Sequence, residues 1–221
     1  MNLFSKYKYS QKSYSQCGED IIINFLLRRL GLDSSSIFYI DIGAHHPYYL
    51  SNTAFFYEKG ARGILIEPDP VLFKLLKKSR KNDICLNLAI SQEIENNINL
   101  YIMSTPTLNT TSYEEAKKYE REGYKIKDII QVPCNSLNKI LEKFAQKHPN
   151  LISIDAEGID EIIINNFDFK KWRPDILCIE TLEFTTKRKP CKHHDLIKNI
   201  CDKGYQVYAD TFINTIFYKG I

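Results

Sequence analysis

The sequence lacks several features that would assign it to a specialised class of protein. It has no apolar run near the roughly 18 residues that a membrane helix requires, and its polar first residues lack the apolar core of a signal peptide. Its net charge of +3 is too small to indicate nucleic-acid binding. No repeat and no Pro-, Gly- or Ser-rich linker divides it. We therefore expect one cytosolic domain over 1–221, without a nucleic-acid partner or an integral membrane segment.

The sequence also lacks the residue spacing of a metal or disulfide site. Its 6 cysteines are scattered and form no C-x-x-C pair, whereas zinc knuckles and disulfide frameworks place cysteines at short, regular intervals. Cys85 and Cys178 lie in apolar runs, where cysteine behaves as a small hydrophobic residue. His45 and His46 are adjacent, so their side chains diverge and cannot easily bind one ion. We expect free thiols and no bound metal.

Strand and helix patterns alternate along most of the chain. Apolar runs predict strands at 37–42, 63–66, 84–89, 98–103, 129–134, 151–155, 175–180, 205–209 and 212–218. Apolar residues at helical spacing predict helices at 19–30, 50–59, 71–80, 113–122, 136–144, 160–166 and 194–203. This alternation is typical of a Rossmann-like α/β fold. It predicts a mostly parallel sheet with helices on both faces, a helical lead-in over 1–36 and a C-terminal antiparallel hairpin.

Two polar stretches allow more than one interpretation. The segment 104–127 is rich in Thr and Tyr, and is either a lid or an insertion that covers the sheet edge. A lid would offer Tyr113, Tyr119 and Tyr124 for stacking on sugar rings. The basic run 187–189, Lys-Arg-Lys, is either a solvated loop or a device that steers an anionic acceptor.

Acidic residues end four of the predicted core strands. They are Asp41, Glu67, Asp155 with Glu157 close behind it, and Glu180. A carboxylate at a buried strand end is costly unless it is paired or contacts a ligand. Ligands of open α/β sheets bind outside the carboxyl ends of the strands. The sequence therefore predicts a polar ligand-binding crevice at that edge.

The turn after the first strand favours a nucleoside ligand over a dinucleotide. In Asp41-Ile42-Gly43-Ala44, the glycine permits close approach of a ligand to the backbone. Glu67 follows about one βαβ unit later, where an acid can bind the two hydroxyls of a ribose. The third glycine of a pyrophosphate-binding loop is absent, because His45-His46-Pro47 follows instead. A ligand without phosphates fits this loop better.

The pair Asp155 and Glu157 has three interpretations. An extended backbone would point both carboxylates to one side, where they would act as a proton acceptor and an orienting group. They would also suit a divalent cation as hard ligands. Alternatively, Asp155 holds the neighbouring loop and Glu157 caps the next helix. His46 is a further candidate proton acceptor, because histidine titrates near neutral pH.

With these motifs the chain resembles the FkbM family of S-adenosylmethionine-dependent methyltransferases, over about residues 14–219. In the first turn, His-His-Pro stands where the family usually has Asn-x-Gly after the alanine. The motifs that carry the resemblance are Ser15-Gln16-x-Gly18-Glu19-Asp20, Asp41-Ile42-Gly43-Ala44-His45-His46-Pro47, Ser51-Asn52-Thr53, Gly63-x-x-x-Glu67-Pro68, Ser153-Ile154-Asp155-x-Glu157-Gly158 and Arg173-Pro174 leading to Glu180.

The resemblance implies a seven-stranded methyltransferase sheet, with S-adenosyl-L-methionine as the cofactor in the crevice. The implied contacts are grouped here by the part of the cofactor that each residue would face. They are Asp41, Gly43, Ala44 and His45 under the methionine part; Ser51, Asn52 and Thr53 at the methionine end; Glu67 and Pro68 at the ribose; Asn87 and Ala89 near the adenine; Gln16 and Glu19 from the N-terminal helix; and Asp155, which with Glu157 also faces the sulfonium and the acceptor.

The resemblance also implies the reaction, since family members often methylate sugar hydroxyls. We expect methyl transfer to a hydroxyl, in a small molecule or a sugar of a bacterial surface glycan or its precursor. Asp155 is the first candidate for the proton acceptor, ahead of Glu157, His46 and Glu180. The alternatives are a nicotinamide-dependent sugar oxidoreductase and a non-catalytic glycan-binding protein on a methyltransferase fold.

Overall fold

The computed structural model describes residues 10–92, 97–185 and 190–220, so the basic run 187–189 lies outside the described residues. The described helices are α1 (Glu19–Arg29), α2 (Ala54–Lys59), α3 (Pro70–Ser79), α4 (Tyr113–Arg121), α5 (Leu137–Phe144), α6 (Asp160–Asn166), α7 (Phe169–Trp172) and α8 (His194–Asp202). The strands are β1 (Phe38–Ile42), β2 (Arg62–Ile66), β3 (Ile84–Leu86), β4 (Ala89–Ile90), β5 (Asn97–Met103), β6 (Ile126–Asn135), β7 (Leu151–Ile154), β8 (Ile176–Glu180), β9 (Tyr205–Asp210) and β10 (Asn214–Lys219). A 3-10 turn spans Pro106–Leu108.

Seven strands form one sheet in the order β3-β2-β1-β7-β8-β10-β9. The pairs from β3 to β8 are parallel, and β10 is antiparallel to both of its neighbours. This confirms the predicted Rossmann-like, mostly parallel sheet and its C-terminal antiparallel hairpin. The strand order reverses direction between β1 and β7, which is where a doubly wound sheet leaves a crevice for a ligand.

Helices cover both faces of this sheet, because successive side chains of a strand point to opposite faces. Ile40 of β1 belongs to a buried cluster with residues of α5, α6 and α8. Its neighbour Tyr39 belongs to a second cluster with residues of α1, α2 and α3. All residues of β1 are buried, as expected for a central parallel strand. Among the described helices, none has the length and apolar character needed to cross a bilayer.

The predicted strand 84–89 is two strands in two sheets. The chain bends at Asn87, whose side-chain amide donates hydrogen bonds of 2.9 Å to the carbonyl oxygens of Glu67 and Pro68. β3 therefore stays at the edge of the large sheet, while β4 joins a separate three-stranded sheet of order β4-β6-β5. The predicted strands 98–103 and 129–134 pair antiparallel in that second sheet.

The predicted helix 50–59 begins later than expected, at Ala54. Leu50 has a left-handed φ of 56°, which is incompatible with a right-handed helix. The next three side chains make hydrogen bonds that hold an irregular loop instead. Ser51 accepts from the amide of Ala54, Asn52 donates to Ser153, and Thr53 donates to Asp41.

The segment 104–127 contains the 3-10 turn, α4 and the beginning of β6. Tyr119 is 1% exposed and packs with Tyr101, Met103 and Leu108 in a small hydrophobic cluster. Thr110 pairs with Tyr101 through an isolated antiparallel bridge. The segment therefore has a core of its own, and it packs against β5.

Candidate active site

A cavity of 310 Å³ opens at the carboxyl ends of β1, β2 and β7, at the point where the strand order reverses. Most of the predicted cofactor and catalytic residues contribute to its wall. Those that line it are Gln16, Gly43, His45, Glu67, Pro68, Ala89, Asp155, Glu157 and Glu180.

The remaining predicted residues do not line this cavity. Six of them are buried, namely Glu19, Asp41, Ala44, Ser51, Asn52 and Thr53. His46 and Asn87 are partly exposed.

Gly43 is required by the close approach of two strand ends. Its φ is 75°, and a Cβ atom there would lie 1.7 Å from the carbonyl oxygen of Asp155. On the same side, the amide of Asp155 donates to the carbonyl of Ile42 at 3.0 Å. The atoms nearest to that Cβ position belong to Asp155, which follows β7. Gly43 thereby fixes Asp155 beside the first turn. Gly43 also lines the cavity, so the predicted close approach of a ligand stays a prediction.

Asp41 is buried beneath the first turn and does not line the cavity. Its carboxylate accepts a hydrogen bond of 2.5 Å from Thr53 Oγ1, and burial raises its pKa to about 6. Arg80, which is 1% exposed, donates to Thr53, to Tyr39 and to the carbonyl of Pro47. Its Nε also forms a buried ion pair of 2.9 Å with Asp83. The sequence patterns did not single out Arg80, although it ties the loop 47–53 to the sheet.

We expect Arg80→Lys to lower the free energy of unfolding by about 2 kcal/mol, because a lysine keeps the charge but loses the planar fork of donors. The measurement is urea denaturation followed by circular dichroism. Lys77→Arg, at an exposed position in the last turn of α3, which Arg80 follows, is the control and should change the stability little. An unchanged urea midpoint for Arg80→Lys would contradict this role.

Glu67 is 5% exposed and its carboxylate is held by the backbone. Oε2 accepts from the amide of His45 and Oε1 from the amide of Asp69, both at 2.8 Å. Burial nevertheless raises its pKa to about 7. A carboxylate has about four lone-pair sites, so each oxygen keeps one acceptor site for a ligand. This arrangement suits a pair of adjacent hydroxyl donors.

The two adjacent histidines point to different surroundings, as the sequence predicts. His45 lines the cavity in a left-handed conformation, with φ of 48°, and both of its ring nitrogens are buried without a hydrogen-bond partner. Burial, and then the charge of His46, lowers the pKa of His45. His46 lies outside the cavity wall, and its Nδ1 accepts from the amides of Tyr48 and Tyr49. This position gives no support to His46 as a proton acceptor.

Of the two candidates from the N-terminal region, one lines the cavity and the other does not. Gln16 lines the cavity. Glu19 is 0% exposed and accepts hydrogen bonds from Thr211, Asn214 and the amide of Cys17. Burial raises the pKa of Glu19, but these bonds lower it further, so the net pKa lies below its ordinary value. Glu19 thus joins α1 to the C-terminal hairpin, and the expectation that it reaches the crevice is not supported.

Three carboxyl groups converge on one wall of the cavity. One oxygen from each of Asp155, Glu157 and Glu180 lies within 4.8 Å of the others. Burial, followed by the charge of Asp160, raises the pKa of Asp155 to about 7. Burial and the charge of Asp155 raise the pKa of Glu157 and of Glu180 well above the ordinary value. Carboxylates so close cannot all ionise, so this cluster retains protons at neutral pH.

A hydrogen bond joins the Asp155 and Glu180 carboxyl groups, and it lowers the pKa of Asp155. The same bond raises the pKa of Glu180, so within this pair Asp155 is the more acidic group and Glu180 retains its proton to higher pH. A shared proton of this kind is how two adjacent carboxyl groups divide the roles of acid and base. Asp155 can consequently accept a proton at a pH where Glu180 is still protonated.

Glu157 reaches the cluster by a route that the sequence did not predict. Its φ is 45°, so the backbone is left-handed there and not extended. Two residues of the segment 104–127 hold it in place. Thr110 Oγ1 donates to its carbonyl at 2.6 Å, and the Tyr119 hydroxyl donates to its carboxylate. The ring of Tyr119 is buried against Tyr124 and Phe184, so it offers no free face, whereas Tyr113 is exposed.

The helix cap after this loop also differs from the expectation. The N-cap of α6 is Ile159, with no side-chain hydrogen bond, and Asp160 Oδ1 accepts from the amide of Ala156. The alternative in which Glu157 caps this helix is therefore not supported. Among the described residues, Asp155, Glu157 and Glu180 are the one group of acids, histidines or cysteines with the spacing of a metal site. The geometry is thus compatible with the divalent-cation interpretation as well as with proton transfer.

Apolar side chains form another part of the cavity wall, here called the leucine wall, and the sequence interpretation did not include them. They are supplied by α3, by the β3–β4 bend and by the second sheet with its 3-10 turn, namely Leu72, Leu88, Leu100 and Leu108. These leucines look like ordinary core residues in the sequence. Their place in the wall depends on the second sheet, which was not predicted as a separate unit.

Comparison with known proteins identifies the family. The model of the methyltransferase FkbM domain matches residues 41–207, which is more than half of the chain. No curated protein sequence matches this chain. Among solved structures, a TehB-like SAM-dependent methyltransferase from Corynebacterium glutamicum is similar with a TM-score of 0.48 and 10% identity, over 98% of this chain and 94% of that chain. An O-methyltransferase from Bacillus cereus in complex with SAH is similar with a TM-score of 0.46 and 9% identity, over 96% and 84% of the two chains. The chain belongs to the FkbM family and is an S-adenosylmethionine-dependent methyltransferase.

Proposed function

We propose that this methyltransferase acts on a hydroxyl oxygen of a sugar, in a bacterial surface glycan or its precursor, and that 1–221 works as one domain. The observation that carries the proposal is the convergence of Asp155, Glu157 and Glu180 on the wall of the cavity that also contains Glu67. A hydroxyl that attacks a methyl group must lose its proton, and a carboxylate in reach can accept it. The sugar is supported by the resemblance to family members that methylate sugar hydroxyls.

The described residues fit the cofactor. Glu67 has acceptor sites for the two ribose hydroxyls, and the leucine wall suits an aromatic base. The unpartnered ring nitrogens of His45 lie in the same cavity, where a ligand would supply partners. When bound, S-adenosylmethionine supplies a methyl group that is already activated on a sulfonium. The work left to the protein is alignment and proton removal.

We assign the proton transfer to Asp155. Its pKa of about 7 is close to the value at which a general base works best near neutral pH. Its position is fixed by the backbone contacts with Ile42 and Gly43. Glu180, which donates to Asp155, and Glu157, which accepts from Tyr119, would orient the acceptor hydroxyl. His46 has no part in this scheme.

The pH dependence of cofactor binding tests the role of Glu67. Hydroxyl donors favour the ionised carboxylate, whereas burial favours the protonated form in the free protein, with a pKa of about 7. Binding therefore releases a proton below pH 7, and we expect the affinity for S-adenosylhomocysteine to fall as pH is lowered from 8 to 6. In Glu67→Gln the affinity at pH 8 should be about 10- to 100-fold weaker, with a smaller change between the two pH values. Isothermal titration calorimetry measures both quantities.

Glu114→Gln is the matched control, because Glu114 is exposed on α4 and lies outside the cavity. It should bind S-adenosylhomocysteine like the unchanged protein at each pH. Glu67 is surrounded by Asp41, Asp69 and His45, so the variant separates its titration from theirs. Equal affinity of Glu67→Gln and the unchanged protein at pH 8 would remove Glu67 from the proposed site.

The acceptor can be sought without knowing it in advance. Mass spectrometry of surface glycans and of pooled sugar nucleotides, from cells with and without the gene for this chain, should reveal a sugar that gains one methyl group. Absence of any methylated sugar in both pools would contradict the sugar proposal and leave the family assignment intact. The nicotinamide alternative is set aside, because the family uses S-adenosylmethionine.

A further inference from the structure

A second, smaller cavity adjoins the first. Its volume is 160 Å³, and it shares Glu157, Glu180 and Phe184 with the first cavity. The shared residues include two of the three clustered carboxyl groups. A molecule in the second cavity would therefore contact Glu157 and Glu180, whereas Glu67, the proposed ribose-binding residue, lines the first cavity alone.

Carboxyl groups dominate the wall of the second cavity. Among the described residues, the positive or titratable nitrogens there belong to Lys118 and His193. Lys118 already forms ion pairs of 3.0 Å with Glu115 and Glu183. The acids of the wall outnumber these two groups and are Glu115, Glu157, Asp160, Glu161, Glu180 and Glu183.

This charge distribution discriminates between classes of acceptor. Glu157 and Glu180 retain protons, but the carboxylates of Glu115, Glu161 and Glu183 outnumber the single ammonium of Lys118 in the described wall. A phosphate or carboxylate placed there is repelled, and in a poorly solvated site the repulsion costs several kcal/mol. Hydroxyl groups carry no such penalty, because they donate to carboxylates and accept from protonated carboxyl groups. The volume equals about five water molecules of the liquid, which suits a single small ring.

Phe184 gives one wall of this space an apolar surface. Its ring lies between both cavities and is held by edge contacts with Tyr119 and Tyr124, at centroid distances of 5.2 and 5.7 Å. Leu182 adds a second apolar side chain that lines only the smaller cavity. A cavity lined by both apolar side chains and acids matches a molecule that has C–H groups on its faces and hydroxyl groups at its periphery.

We propose that the second cavity receives the acceptor, and that the unit which is methylated is a polyhydroxylated ring without an anionic group. This rests on the proposed function, since it assigns the acceptor to the acidic cluster of the same site. It goes further by excluding rings that carry a phosphate next to the reacting hydroxyl. A nucleotide-linked precursor would fit only with its phosphates outside the cavity.

Ligand-detected NMR on the full chain with S-adenosylhomocysteine present tests this without the natural acceptor. The probes are methyl glucopyranoside and glucose 6-phosphate, which differ chiefly in the charged group. We expect saturation transfer to the neutral ring, and an affinity for the phosphate-bearing ring that is at least about tenfold weaker. Equal or tighter binding of the phosphate-bearing ring, or no binding of the neutral ring, would overturn the proposal.

Two variants locate the binding. Leu182→Trp should fill the second cavity and abolish binding of the neutral ring, while the affinity for S-adenosylhomocysteine stays within about twofold. Glu161→Lys, an exposed change on the cavity rim, should strengthen binding of glucose 6-phosphate and stands as the test if Leu182→Trp does not fold. Neutral-ring binding that persists in a folded Leu182→Trp would place the acceptor elsewhere. If the unchanged protein does not bind S-adenosylhomocysteine, the result would instead refute the proposed function.

Discussion

Asp155→Asn is expected to lower kcat for methyl transfer by about 10²- to 10⁴-fold, the usual contribution of a positioned general base. The amide has nearly the shape of the carboxylate but cannot accept the proton. The backbone contacts of residue 155 with Ile42 and Gly43 do not involve the side chain. The Kd of S-adenosylhomocysteine should therefore stay within about threefold.

The measurement is transfer of a labelled methyl group from S-adenosylmethionine to a glycan extract, with cofactor affinity measured in parallel. In the unchanged protein the rate should rise with pH through about 7, because Asp155 acts as a base only after it ionises and its pKa is about 7. Asp128→Asn, at an exposed position on β6, is the matched control. Full turnover of Asp155→Asn with cofactor binding intact would exclude Asp155 as the proton acceptor.

The same comparison should be made in the presence of a chelator, because the three clustered carboxylates also have the spacing of a cation site. A proton-acceptor role predicts that removal of divalent cations leaves the rate of the unchanged protein the same. Loss of activity on chelation, with recovery on addition of Mg²⁺, would favour the metal interpretation of the cluster.

Gly43→Ala is expected to lower the free energy of unfolding by about 4 kcal/mol, from left-handed strain and from the contact with the end of β7. The added Cβ would lie 1.7 Å from the Asp155 carbonyl oxygen, so the two strand ends would have to separate. Gly31→Ala isolates the contact from the strain. Gly31 has a φ of 72°, close to the 75° of Gly43, but an added Cβ would meet no atom within 4 Å.

We expect Gly31→Ala to cost about 1 kcal/mol by the strain alone. Urea denaturation of both variants gives the difference, and loss of cooperative unfolding in Gly43→Ala would be an extreme form of the expected result. Similar stability of the two variants would show that the ends of β1 and β7 can move apart freely. The position of Asp155 would then not depend on the glycine.

The large sheet was predictable because its strands are continuous apolar runs that are buried on both faces. β1, β2, β7 and β8 were recognised for this reason, and the acids at their ends identified the edge where the cavity lies. The order of the strands in the sheet was not predicted, because apolar runs do not indicate which strands are neighbours. The same runs did not distinguish the second sheet, since β4 and β6 are brought together by a bend at Asn87 that depends on a side-chain contact with Glu67 and Pro68.

The supporting residues of the site were not predictable for a related reason. Thr110 and Tyr119 are separated from Glu157 by 47 and 38 positions in the sequence, and neither forms a pattern with it. Arg80 is the last residue of a predicted helix, where an arginine is usually solvated, yet it is buried beneath the loop 47–53. Such long-range contacts become visible only when the chain is folded.

Glu157 is held in the acidic cluster by hydrogen bonds from the segment 104–127. Its place in the cluster therefore depends on whether that segment stays folded. Segments with a small core of their own open more easily than the central sheet. Each opening of this segment would break both anchors of Glu157, while Asp155 and Glu180 keep their places at the ends of β7 and β8. The catalytic activity of the protein would therefore vary with the opening of the segment 104–127. The sheet that carries Asp155 would keep its structure.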